Sequence, residues 1–220
     1  MTTGDAIRTR DNGTGSGRAR GGHRRPPAAH GGVQGNERLT ALTGTVLLAG
    51  FAAEGVTILA LGRLLTLHFF LGMLLIGPVL LKIGSVCYRF VRYYRGAGPY
   101  VRKGPPAPLL RLLGPFVIAT SLAVLGTGVL LAVAGPGQGP WLFLHKASFV
   151  LWFGAMAIHV LAYAWRLPRL LRGAPGRPGR RVPAGGPARG ALLAAALAGG
   201  LVIALLTIHL EGSWITSLVR

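Results

Sequence analysis

Five apolar runs, at 39–60, 64–86, 109–134, 141–165 and 191–210, constrain this chain more than any other feature. About twenty residues rising roughly 1.5 Å each cover the roughly 30 Å hydrocarbon thickness of a bilayer. No water is present there to satisfy the backbone, so each run must pair its amides internally as a helix. The run interiors are rich in Leu, Ala, Val and Gly and lack the polar–apolar alternation of strands. The chain is therefore expected to be an all-α integral membrane bundle of five transmembrane helices, with a membrane domain over about 39–214.

Charge orients the bundle. Seven Lys or Arg lie in the first 38 residues, six between Arg89 and Arg111, and seven between Arg166 and Arg189. The GPGQGP link between the third and fourth runs has none, and the first link has only Arg63. Excess Lys and Arg mark cytoplasmic segments. The N-terminus and the basic loops, about 87–108 and 166–190, are thus expected inside the cell membrane, with a short tail at 215–220 outside. The formal charge of +19 is accounted for by topology and contact with anionic lipid. Membrane lipid is the expected partner and nucleic acid is not. Residues 1–38, rich in Gly, Arg and Pro, are too poor in apolar groups to offset the entropy of ordering and are expected to be disordered. They lack the apolar core of a signal peptide. The single cysteine, Cys87, cannot close an intrachain disulfide. No Walker loop, zinc-type cysteine cluster or nucleophile elbow is visible, which leaves hydrolase chemistry without residues to carry it.

Ionisable groups inside a bilayer are costly and usually functional. His68, four residues into the second run, and His145, four residues after Trp141, both lie about 6 Å below the outer surface at 1.5 Å per residue. Glu54 and His209 fall in the same outer half. Fourteen residues on from each histidine, nearly four turns, come Lys82 and His159, which gives two helices with matching outer and inner rungs about 21 Å apart. A haem iron with two axial imidazoles needs histidines on two helices at equal depth, their ring nitrogens about 4 Å apart. His68 and His145 meet the depth requirement. Gly72, one turn after His68, would let a flat macrocycle approach the backbone, and Gly126, Gly128 and Gly154 supply further small surfaces. Glu54 is expected to orient a ligand histidine or handle a proton, or else to be a protonated acid bonded to a neighbouring helix, while Lys82 is expected to snorkel to the inner headgroups or to meet an anion. His209 is expected at the interface or beside the site, and Pro78 is expected to bend the second helix.

The stretches LHFFLGMLLIGPVLLKIGSVCYRFVRYY and LHKASFVLWFGAMAIHVLAYAW carry this pattern. Two histidines fourteen residues apart on one helix, facing a third, resemble the membrane-bound b-type cytochromes. The same stretches, about half the chain, are similar to an uncharacterised family of actinobacterial membrane proteins. The cytochrome resemblance implies haem b with bis-histidine ligation and electron transfer with a quinone or a redox partner protein. His68 and His145 would be the outer ligands and His159 an inner one. Lys82 stands where the inner partner should be, so one haem is favoured. The alternative is a cofactor-free membrane protein, a transporter subunit or scaffold, whose polar residues are structural.

Overall fold

The computed structural model describes residues 32–102, 104, 108–137, 139–164 and 186–219. Among them the regular structure is entirely helical. Five helices are long and apolar enough to cross a membrane. They are α1 (Val33–Leu59), α2 (Leu61–Tyr94), α4 (Pro108–Ala134), α5 (Trp141–Ala164) and α6 (Gly186–Thr207). A short α3 (Gly98–Arg102) follows α2, and a 3₁₀ turn (Ile208–Glu211) leads from α6 into α7 (Gly212–Val219). The chain is an all-α, multi-pass membrane protein.

Several boundaries differ from the apolar runs. Helix α1 begins at Val33, which takes in the last six residues of the segment that composition assigns to a disordered tail. Those polar turns are held from outside: Asn36 Nδ2 donates to the Ser85 carbonyl at 3.0 Å and Glu37 pairs with Arg89 at 3.8 Å. At the same end α2 runs on to Tyr94, into the basic loop. There Tyr100, from α3, is buried against Tyr88 and lies under the Arg92 guanidinium. The C-terminal tail is helical to Val219. The break in helical geometry within α2 falls at Leu64 (φ −113°, ψ 19°) and not at Pro78, which is fully buried inside the helix. The remainder of the expected tail, 1–31, and most of the basic loop at 166–190 lie outside the described residues.

Consecutive spans run antiparallel, as their cross-contacts show. Thr57 meets His68 and Thr40 meets Lys82 between α1 and α2, while Val124 meets His145 and Ser121 meets Trp152 between α4 and α5. The α6 helix lies against α2 at close backbone range. A Cβ on Gly77 would collide with the Ala196 carbonyl, and one on Gly200 with the Leu74 carbonyl. Small residues let membrane helices approach this way where water supplies no hydrophobic drive between them. Met73, Ala132 and Ala204 pack together where α2, α4 and α6 meet.

The inward faces of α2 and α5 have a shared heptad register. His68, Leu75 and Lys82 follow one another on α2, as do His145, Trp152 and His159 on α5. Each step of seven is about 10 Å along the axis. The central layer is apolar: Leu47, Leu75 and Val79 form a buried cluster joined by Phe51 and Leu125. The Phe51 and Trp152 rings meet edge to face at 4.7 Å. A polar layer lies on either side of this core.

Candidate functional site

His68 stands near the start of α2, half-buried, facing the end of α1. Its Nδ1 lies 2.8 Å from Thr57 Oγ1 and 3.1 Å from Glu54 Oε1. The tautomer follows from counting protons. Thr57 Oγ1 has one, and it is donated to the Glu54 backbone carbonyl 2.5 Å away. The same oxygen can then only accept from His68, so Nδ1 carries the ring proton and Nε2 keeps a free lone pair. Glu54 is held here by the same pair of residues, its Oε1 against the imidazole and its Oε2 buried with no hydrogen-bond partner among the described residues.

His145 reaches the same arrangement from α5 with different partners. Its Nδ1 lies 3.1 Å from the Val124 carbonyl and 3.3 Å from Thr127 Oγ1. A carbonyl oxygen only accepts, so here too Nδ1 is the donor and Nε2 the bare nitrogen. The ring approaches Val124 because Gly128 has no side chain: a Cβ there would stand 3.1 Å from the imidazole Cε1. Thr127 is itself fixed, donating to the Ala123 carbonyl at 2.7 Å and lying 3.0 Å from the buried Ser148 hydroxyl. Neither Nε2 has a hydrogen-bond partner among the described residues. The two imidazoles are near enough that a charge on His145 would disfavour one on His68. A metal-ligating histidine typically donates its other ring nitrogen to a carboxylate or a backbone carbonyl, which sets tautomer and ring orientation. Glu54 and Val124 supply one of each.

The remaining predicted residues divide. Gly72 faces Glu54: a Cβ on it would lie 3.3 Å from Oε1, so its open surface houses the carboxylate. Gly126 and Gly154 face open space. His209 is exposed in the 3₁₀ turn. Lys82 does not extend along the helix toward the headgroups as snorkelling would require. Its Nζ turns across to α1 and donates to the Thr40 carbonyl at 2.5 Å, in the space left by Gly44. His159 lies within electrostatic reach of it from α5. His68 thus lies within electrostatic reach of His145 at one end, and Lys82 of His159 at the other.

Sequence reasoning missed Thr57, Thr127, Ser148 and the Val124 carbonyl. A hydroxyl residue isolated in an apolar helix, three residues after an acid (Thr57) or between two glycines (Thr127), is a visible signal. Which ring it meets depends on helix rotation, and the sequence does not state that. Among the described residues no three His, Cys, Asp or Glu side chains converge to hold a bare metal ion. The donor set at this end is two imidazole nitrogens. The chain matches no protein-family model, no curated protein and no solved structure.

Proposed function

We propose that this protein is a b-type membrane cytochrome that holds one haem between His68 and His145. What carries the reading is the matching pattern of partners at the two rings, each of which engages Nδ1 and leaves Nε2 open. Two imidazoles from different helices, within electrostatic reach, each commit Nδ1–H to the bundle and leave Nε2 as an unprotonated donor. Two neutral imidazole nitrogens without a third protein ligand would be the donor set for a haem iron, and His68 and His145 would hold it. When bound, the haem supplies one-electron exchange, and the protein supplies position and polarity. Thr57 and Glu54 hold the His68 ring, and Val124, Thr127 and Gly128 hold the His145 ring. Trp152 and Phe51 close the apolar layer beneath them and exclude water from that side. The inner rung has one imidazole and an ammonium already bound to Thr40, which favours a single haem over two. In this reading the basic end faces the cytoplasm of the cell membrane, and a quinone or a redox protein exchanges electrons at the histidine end.

The test is spectroscopic. Protein purified from haem-replete cells should be red, with reduced-minus-oxidised bands of a low-spin b-type haem. His68→Ala and His145→Ala should each abolish those bands, and His159→Ala should leave them in place. A colourless wild-type preparation sinks the proposal. The second reading would then stand, a cofactor-free bundle in which the same hydrogen bonds satisfy both rings.

A further inference from the structure

The layer around Lys82 asks for something the chain does not provide. Its ammonium has three protons and one acceptor, the Thr40 carbonyl, and no carboxylate lies within ion-pair distance of it among the described residues. The described residues contain three acids in all. Glu54 is bound to His68 two layers away, Glu37 pairs with Arg89, and Glu211 lies in the 3₁₀ turn beyond α6. A lysine within a membrane span is expensive to leave without an opposite charge and normally has one. Lys82 is also positioned, not merely tolerated. Gly44 clears the space on α1 that Nζ enters, and Thr40 Oγ1 donates to Ser85 Oγ at 2.9 Å one turn further on. His159, on α5, lies within electrostatic reach of the ammonium.

The surroundings indicate which anion fits. Lys82 lies four residues, about 6 Å, inside the end of its apolar run, a depth that a headgroup can reach. The rim above it is basic: Arg38 opens α1, and Arg89, Arg92 and Arg95 close α2. We propose that Lys82, held between α1 and α2 with two ammonium protons uncommitted, is the binding site for a phosphate group, supplied by an anionic phospholipid seated against α1 and α2. This site is separate from the histidine pair and does not depend on haem being bound there.

The experiment compares thermal unfolding of the full-length protein in detergent supplemented with phosphatidylglycerol, phosphatidylcholine or inorganic phosphate. Wild type should melt about 2–4 °C higher with phosphatidylglycerol than with phosphatidylcholine, the shift that one additional favourable contact gives a chain of this length. Lys82→Met should lose that difference and Lys82→Arg should keep most of it, which separates loss of charge from loss of fold. If inorganic phosphate reproduces the shift, the same site takes free phosphate. If Lys82→Met retains the full phosphatidylglycerol preference while Arg38→Gln removes it, the effect belongs to the basic rim and the proposal is overturned. Equal melting of wild type in both lipids overturns it as well.

Discussion

A threonine hydroxyl has a single proton, and at Thr57 that proton goes to the Glu54 carbonyl, which makes its oxygen an acceptor for His68. Thr57→Val keeps the side-chain shape and removes the acceptor. The imidazole then relies on Glu54 Oε1 alone, at 3.1 Å. Loss of such an outer-shell partner typically weakens metal-site affinity about 10–100-fold, and the remaining carboxylate puts the expected effect at the lower end. Haem titration of the apo-protein measures it, and Thr57→Ser should behave as wild type. Gly128 offers a steric counterpart. An alanine Cβ at 3.1 Å from His145 Cε1 forces the ring off the Val124 carbonyl. Gly128→Ala should therefore lower retention of the proposed haem and cost about 1–3 kcal/mol of stability. Gly126→Ala is the control. It faces open space in the same helix, and relief of glycine's backbone entropy should stabilise the protein by about 0.4–1 kcal/mol. A chemical-denaturation series on both variants decides between packing against the ring and a general intolerance of α4 to substitution.

At the scale of helices, what could be read beforehand and what could not have separate physical causes. The spans are legible because lipid demands roughly twenty apolar residues in a row. Their ends are not, because the ends are held by partners distant in sequence, such as Ser85 for Asn36 and Arg89 for Glu37. Matched depth, His68 with His145 and Lys82 with His159, follows from counting along antiparallel helices. The hydrogen bonds do not, because helix rotation decides whether Lys82 reaches Thr40 or the headgroups. The α2–α6 crossing was likewise hidden, since Gly77 and Gly200 are two of 35 glycines and nothing local marks them as a pair. That crossing makes its own prediction. A side chain at Gly200 would meet Leu74 backbone atoms, which cannot swing aside. Gly200→Val should cost about 1–3 kcal/mol or more, read as a lower melting temperature in detergent. Leu74, which Gly200 meets, lies off the face that carries His68, Leu75 and Lys82, so on the proposed haem reading the protein that remains folded should keep an unchanged visible spectrum.

For the molecule as a whole, the antiparallel order brings the start of α1, the end of α2, α3 and the starts of α4 and α6 to one end, together with most of the described basic residues. In a Cys87→Ser background, Arg95→Cys should react with an impermeant maleimide only after cells are permeabilised, and Pro140→Cys should react in intact cells; the opposite pattern reverses the proposed orientation. The same architecture separates its two polar layers. Between them lie Leu47, Phe51, Leu75 and Trp152, tightly packed and without a hydrogen bond that bridges one polar layer to the other among the described residues. Fourteen residues of helix put the layers about 21 Å apart. Sites more than about 7–10 Å apart with no shared partner usually add within about 0.3–0.5 kcal/mol. His145→Ala combined with Lys82→Met should therefore destabilise by the sum of the single effects. Within one layer the outcome should differ. Thr57→Val and His68→Ala remove two ends of one hydrogen bond, so the second change has less to lose, and a coupling of about 0.5–3 kcal/mol is expected. Denaturant unfolding of both cycles separates the cases. Strong coupling across the apolar layer would mean that Trp152 and Leu75 transmit strain between the ends, and the two polar layers would then have to be treated as a single site.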